Sequence, residues 1–269
     1  MAATLRYEAA PERRRWIIDQ LHATGFLSIP KVAEQLGVSE MTVRRDLRRL
    51  QVTGDVVMVH GGVRLPHAHL RSTEFVTRAQ SESGAKMRIA EHAAAGLHSD
   101  DVIALDAGTT TYPIVNALRP EFGGAVITPS VPVIHALLNR HEVRVVGLGG
   151  DLHAASQAFV GPLAVVAAQR LRVRVSFVAA AAVDSRGIYV QADVERPTKL
   201  ALMDTADEVV LLVDHTKFEN SAPILLCPLE RLDRLVTDET PRPEIVEALS
   251  RANVRLEIAD PTDDDAMTS

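Results

Sequence analysis

A single cysteine, Cys227, in 269 residues leaves no disulfide framework to staple a fold. That scarcity suits a reducing, cytoplasmic setting. Long apolar runs are missing as well: no stretch approaches the roughly 18 consecutive apolar residues that a membrane span requires. The opening MAATLRYEAAPERRRW has no apolar core of the secretory kind. Positive charge is in deficit too, and a net charge of −6, taken over the whole chain, argues against a polyanionic partner. What the chain has is apolar substance: 46 % hydrophobic against 24 % charged residues, enough to build a packed core and exclude global disorder.

The charge is unevenly spread. Residues 1–65 hold ten Lys/Arg and seven Asp/Glu, a local +3, whereas the remainder holds nineteen and twenty-eight, a local −9. A basic head on an acidic body means that only the head is suited to meet a polyanion. The periodicity divides the chain in the same way. Trp16, Ile17, Leu21 and Ala23 form a helical stripe over residues 12–24. Ser28-Ile29-Pro30 opens a second helix, with serine as cap and proline in the first turn, and Gly37 ends it. Ser39 caps a third helix in which Val43, Leu47 and Leu50 share one face. After Gly54, the run 56–59 reads as a short strand pair ending in His60-Gly61-Gly62. Three short helices and a hairpin make a small winged helix-turn-helix over residues 1–64, followed by a linker at 65–80.

On the third helix Met41, Arg44, Arg45 and Arg48 lie opposite the apolar face, with Thr42 and Arg49 on the flank. Arginines so placed fork onto guanine edges or pair with phosphates, and Thr42 stands near the helix N-terminus, where anions are favoured. Four arginines in six positions outweigh the alternative of an ordinary solvated face. Asp46, the one acid among them, is expected to orient Arg45 or Arg49 rather than face a phosphate.

From residue 81 to 259 short β-branched runs alternate with helical stretches. The runs lie at 102–105, 125–127, 143–146, 173–182, 209–213, 234–236 and 254–256. Nearly continuous apolar strands in βα alternation predict an α/β domain, its parallel sheet covered by helices on both faces. The acidic DPTDDDAMTS at 260–269 reads as a disordered tail. Three successive strand ends carry small polar or glycine residues: Asp106-Ala107-Gly108-Thr109-Thr110-Thr111, then Thr128-Pro129-Ser130, then Gly149-Gly150-Asp151. Such ends are where α/β sheets bind ligands, and the Gly-Thr-Thr-Thr turn into a helix suits a phosphate. Lys199 is expected in the first turn of a helix opened by Pro197, where the dipole disfavours a cation unless an anion or Glu195 offsets it. Lys217, after Asp214, supplies a second cation.

Arg13, Ile17 and Leu21 followed by Ser39-Glu40-Met41-Thr42-Val43-Arg44-Arg45-Asp46-Leu47 resemble the N-terminal signature of the DeoR family of bacterial regulators. His60-Gly61-Gly62 resembles that family's wing, with Met58 where a basic residue is usual. The body resembles the family's C-terminal domain through residues 106–111, Phe159-Val160-Gly161-Pro162, Asp184-x-x-Gly187, Glu195 with Lys199, and Asp214-x-x-Lys217-Phe218. It departs from the family at Pro129 and at Ala179-Ala180-Ala181-Ala182. The resemblance implies an isomerase-like fold that senses a phosphorylated sugar, and a DNA-binding repressor of carbohydrate genes acting as a dimer or tetramer, with no metal and no cofactor. Its DNA-binding residues would be Ser39, Met41, Thr42, Arg44, Arg45, Arg48, Arg49, His60, Gly61 and Gly62. The effector residues would be Asp106, Gly108, Thr109, Thr110, Thr111, Ser130, Gly149, Gly150, Asp184, Glu195, Lys199 and Lys217. The competing reading is a sugar-phosphate isomerase with an accessory domain, using Asp106, Asp184, Glu195 and Lys199 for proton transfer; a plain interaction module would bind no DNA.

Overall fold

A computed structural model describes residues 10–24, 26–59, 62–64 and 75–259. The chain falls into two compact units that divide between Thr77 and Arg78, inside the stretch expected as linker. His60, Gly61 and the acidic tail at 260–269 lie outside the described residues.

The first unit contains α1 (Ala10–Thr24), β1 (Phe26–Ser28), α2 (Ile29–Leu36), α3 (Glu40–Val52), β2 (Val57–Val59) and β3 (Gly62–Arg64). Ile17, Leu21, Val32, Leu36, Val43, Leu47 and Leu50 form its core, the three-and-four spacing on each helix placing them inward. Gly37 ends α2 in the left-handed region at φ 63°, a conformation that glycine adopts without steric cost. Ser28 does stand at the N-cap of α2, but its side chain makes no capping bond; its backbone is instead the last residue of β1. That strand escapes the sequence pattern because three residues show no alternation. It pairs with β3, which also pairs with β2, in the antiparallel order β1-β3-β2. The wing is thus sewn to the chain between α1 and α2. Met58, at the position where a basic residue was usual, packs against the head core.

The second unit is built on a seven-stranded parallel sheet in the order β15-β14-β12-β9-β4-β5-β6. Its members are β4 (Val102–Leu105), β5 (Ala125–Thr128), β6 (Arg144–Gly147), β9 (Val173–Ala179), β12 (Ala206–Leu212), β14 (Arg234–Thr237) and β15 (Arg255–Ile258). Alternate residues of one strand enter different cores: Ile103 and Leu105 pack on one face, Ala104 on the other. Both faces are covered, as continuous apolar strands require. From β4 the chain runs outward through β5 to β6, then returns to β9 and runs the other way. The order therefore reverses between β4 and β9, and at such a switch point the loops leaving the two strands diverge and open a crevice.

Two smaller pieces were not expected. The run at 173–182 is not one strand: β9 ends at Ala179, and β10 (Ala182–Asp184) joins β11 (Gly187–Val190) and β13 (Ile224–Cys227) in a separate antiparallel sheet. The hairpin β7 (Asp151–His153) with β8 (Ala158–Val160) stands apart from the main sheet.

Candidate functional site

On α3 the Ser39 hydroxyl accepts the Thr42 amide at 3.2 Å and lies 3.0 Å from the Thr42 hydroxyl, so this cap fixes the start of the helix. Met41, Arg44, Arg45, Arg48 and Arg49 are exposed, and Thr42 is half-buried. Arg44 meets Glu40 at 3.7 Å across one exposed turn, a contact worth little in water. Asp46 overturns an expectation. It neither orients Arg45 nor Arg49 but is buried at 3 % exposure with Val43, Leu47 and Leu50. Its Oδ2 accepts from Arg13 Nε at 2.9 Å, and Arg14 stands 3.6 Å from Oδ1, both from α1. Position 46 follows 43 by three and precedes 50 by four, so rotation carries it inward. The consequence is that the acid ties α3 to α1 and leaves the outward arginines to other partners. Gly62 is buried at the start of β3, opposite Ser28 and Val59.

In the second unit a cavity of about 200 Å³ opens where β4 and β9 part. Ala107–Thr110 after β4 and Ala179–Ala181 after β9 form two of its walls. The β8 strand supplies Ala158, Phe159 and Val160, and Glu195, Thr198 and Lys199 come from the start of helix Arg196–Asp204. Lys217, Asn220, Gln191, Arg78, Ser81 and Ser156 complete the polar lining.

Asp106 organises this rim without entering it. At 1 % exposure, its Oδ1 accepts the Gly108 amide at 2.6 Å and the Thr111 hydroxyl at 2.8 Å. Its Oδ2 accepts the Ala179 amide at 2.9 Å and the Lys199 ammonium. One carboxylate thus joins the two diverging loops and neutralises the lysine, whose ammonium also donates to the Ala179 carbonyl at 3.1 Å. Lys199 does stand in a first helical turn, but Asp106 rather than Glu195 offsets its charge; Glu195 faces His153 at 3.7 Å. The Gly108 amide, expected in the phosphate cradle, is spent on Asp106, and a Cβ at Gly108 would lie 2.2 Å from that of Ala179. The alanine run is therefore part of how the rim closes.

Of the expected effector residues, the cavity brings together Gly108, Thr109, Thr110, Glu195, Lys199 and Lys217. Thr111 is fully buried on Asp106. Ser130 caps helix Val131–Leu137, while its neighbour Pro129 reaches the cavity. Gly149 and Gly150 lead into β7; a Cβ at Gly150, where φ is 137°, would lie 2.5 Å from the Val160 carbonyl. Asp184 belongs to the β10–β11 turn. Burial works against its ionised form, but the Arg186 amide and guanidinium and the Tyr189 hydroxyl hold the carboxyl below its usual value.

The pattern missed Thr198, Gln191, Asn220, Arg78 and Lys86. Thr198 is 2 % exposed and lines the cavity, and its hydroxyl has no hydrogen-bond partner among the described residues. A buried unsatisfied hydroxyl facing a cavity is a place for a polar ligand. Lys86, on helix Ser83–Ala94, is 1 % exposed beneath the cavity wall. Burial pushes its pKa down, opposed by Asp214, whose Oδ2 lies 3.9 Å away; the same oxygen is 3.5 Å from Lys217 Nζ. A buried lysine leaves no periodic signature, since in the sequence it looks like any surface cation. Among the described residues, His215, Asp238 and Glu239 have ligand atoms within 4.8 Å of one another. Both Asp238 oxygens are already engaged by the amide and ring of His215, which makes this a clamp between two strand ends.

Comparison with known proteins agrees with both units. Residues 13–69 match the DeoR-like helix-turn-helix domain, and residues 81–239 match the DeoR C-terminal sensor domain. The chain is 26 % identical to the glycerol-3-phosphate regulon repressor of Escherichia coli (strain K12), over 92 % of this chain and 98 % of that protein. It is 30 % identical to the L-fucose operon activator of Haemophilus influenzae, over 85 % and 92 %. The lactose phosphotransferase system repressor of Lactococcus lactis is also 30 % identical, over 87 % and 93 %. Among solved structures, ribose 5-phosphate isomerase A of Methanocaldococcus jannaschii overlaps 51 % of this chain and 55 % of its own, with 19 % identity and a TM-score of 0.36.

Proposed function

Since this chain belongs to the DeoR family of transcriptional regulators, we propose that it binds operator DNA through α3 and releases it when a phosphorylated sugar enters the cavity of the second unit. The observation that carries the first half is the burial of Asp46. The acid on the helix faces inward to α1, and a run of arginines is presented outward. Arg45, Arg48 and Arg49 are positioned for base edges and phosphates of the major groove, with Ser39 and Thr42 at the helix start for a phosphate. One small head makes few contacts, so operator binding requires two or more copies, and repression is the sign that most of the named relatives share.

The second half rests on the cavity's chemistry. Thr109 and Thr110 bring hydroxyls, Thr198 an unsatisfied one, and Lys217 a cation that shares Asp214 with Lys86. An anionic head group facing Lys217 and sugar hydroxyls facing Thr198, Gln191 and Glu195 suit that lining. Of the groups an isomerase would use, Asp106 already accepts from four donors and Asp184 serves a turn, so neither presents a free base to a substrate, and Glu195 is the carboxylate that remains in the cavity lining.

A thermal-shift screen of the full chain against sugar phosphates tests the sensor half, because a ligand that binds only the folded state raises the melting temperature. Arg45→Ala tests the head: operator affinity should fall by about 1–3 kcal/mol with relaxed discrimination. Unchanged affinity for selected operator duplexes would remove α3 as the reading element, and turnover of a sugar phosphate would revive the enzyme.

A further inference from the structure

Resting on the sensor reading above, we propose that Thr198 is a specificity-determining residue, its unbonded hydroxyl reserved for a hydroxyl of the effector that also donates to Glu195. The site then takes a polyhydroxylated phosphate in preference to a bare or carboxylated one.

Glu195 is the N-cap of helix Arg196–Asp204 and Thr198 stands in its first turn, so the two share a face, and both line the cavity. Side chains at these two places ordinarily close onto the helix start. In a capping box a hydroxyl residue at the cap and a glutamate three residues later each take a backbone amide. Here the order is reversed, and neither arm closes. The Glu195 side chain makes no capping bond, and the Thr198 hydroxyl has no hydrogen-bond partner among the described residues. Other helix-end threonines of this chain behave differently. Thr53 donates to the Arg49 carbonyl at 3.2 Å and Thr205 to the Leu202 carbonyl at 2.7 Å, the local acceptors that a helix offers.

A hydroxyl sealed at 2 % exposure and left unbonded destabilises the fold in a way that valine, of the same shape, would not. A ligand that supplies the missing bond offsets that cost. Glu195 defines the kind of ligand. Its carboxylate faces His153 at 3.7 Å, beyond hydrogen-bonding distance. The cations that follow it in the chain are engaged elsewhere, Arg196 with the Leu225 carbonyl at 2.9 Å and Lys199 with Asp106. A carboxylate only accepts, whereas a threonine hydroxyl both donates and accepts, so one ligand hydroxyl can donate to the first and pair with the second. A phosphate or carboxylate placed there has no proton for Glu195 and meets its charge. The anion of the effector therefore belongs at the Lys217 end, and the start of this helix reads the hydroxyls of its carbon skeleton. A site whose buried polar group stays unpaired rejects the analogue that lacks the partner.

The experiment uses the full chain as wild type, Thr198→Val and Thr198→Ser. Each is melted alone, then with glycerol 3-phosphate, ribose 5-phosphate and glucose 6-phosphate, which carry hydroxyls, and with ethyl phosphate, which carries the anion alone. Without ligand, Thr198→Val should melt roughly 2 °C or more above the wild type, because it deletes an unmade hydrogen bond and keeps the packing. It should nevertheless bind the hydroxylated probes that the wild type binds roughly tenfold or more weakly, and Thr198→Ser should recover most of that affinity. Ethyl phosphate should bind less well than those probes, and equally to wild type and Thr198→Val. Glu195→Gln, which keeps an acceptor and removes the charge, should admit 3-phosphoglycerate better than the wild type does; no gain there overturns the part given to Glu195. If Thr198→Val melts no higher than the wild type, the hydroxyl is bonded within the fold and the inference fails. It fails too, with the sensor reading intact, if that variant binds the hydroxylated probes as tightly as the wild type. Loss of ethyl phosphate by the same factor as the hydroxylated probes also overturns it, since Thr198 would then hold the anion. If no hydroxylated probe shifts the wild-type melting temperature, the sensor reading fails and this inference goes with it.

Discussion

Replacing Gly108 by alanine adds one methyl group where the loops leaving β4 and β9 come closest. The new Cβ would stand 2.2 Å from the Cβ of Ala179, 2.9 Å from Asp106 Oδ1 and 3.2 Å from Thr111 Oγ1. Carbon atoms pack best at about 3.5–4.0 Å, so the first contact is more than an ångström too short for rotamer adjustment to relieve. Both neighbours lack freedom to retreat. Ala179 donates its amide to Asp106 Oδ2 at 2.9 Å, and Asp106 also holds Lys199 and the Gly108 amide itself. Overpacking of this kind costs about 1–3 kcal/mol. For a unit of this size that is a fall of roughly 2–12 °C in melting temperature.

The assay is a pair of variants read by thermal denaturation and by sugar-phosphate binding. Gly108→Ala should melt lower and lose most ligand affinity, because the 108–110 rim must move away from Ala179. Adding Ala179→Gly removes the 2.2 Å contact and should recover much of both, with the 2.9 Å contact to Asp106 setting the remainder. Alanine at 108 meets no backbone penalty, since no left-handed φ is found there, so the swap isolates the steric cost. If the single variant melts and binds as the wild type does, or if the second change gives no recovery, the close approach of the two loops is not what shapes the rim.

Three further outcomes are expected. Asp46→Ala should destabilise the head by as much as about 3–5 kcal/mol in chemical denaturation, because it takes the carboxylate from the buried Arg13; a loss below about 1 kcal/mol would make the pair an ornament. His215 has its pKa raised above 6.5 by the hydrogen bond to Asp238, so the folded state favours the protonated ring. The stabilisation is fully present below about pH 6.5 and is lost as pH rises through the raised folded value, so the melting-temperature gap between wild type and His215→Gln should narrow as the pH is raised above 6.5; a constant gap contradicts this. Burial pushes the Cys227 thiol up to about 11, so a thiol reagent near pH 8 should label the chain only after denaturation, and labelling of the folded protein would refute that placement.

Much of this protein is written in local pattern. Apolar spacing on α1–α3 places the head core, because a helix buries every third or fourth residue whatever the rest of the chain does. The inner parallel strands announce themselves as β-branched runs for the same reason, being buried on both faces over most of their length. The loop at 106–111 and the outward arginines of α3 are likewise legible, being contiguous. Partnership over distance is not. Asp46 finds Arg13, 33 positions away, Asp106 finds Ala179 at 73 and Lys199 at 93, and Lys86 finds Asp214 across the cavity wall. No spacing encodes these: the first depends on how α1 packs on α3, and those of Asp106 on the reversal of strand order between β4 and β9, which is settled by how seven similar strands pack together. Composition and periodicity thus determined which segments become helices and strands and where polar loops sit. Only tertiary packing decided which of those polar groups face the cavity and which are consumed in holding it open.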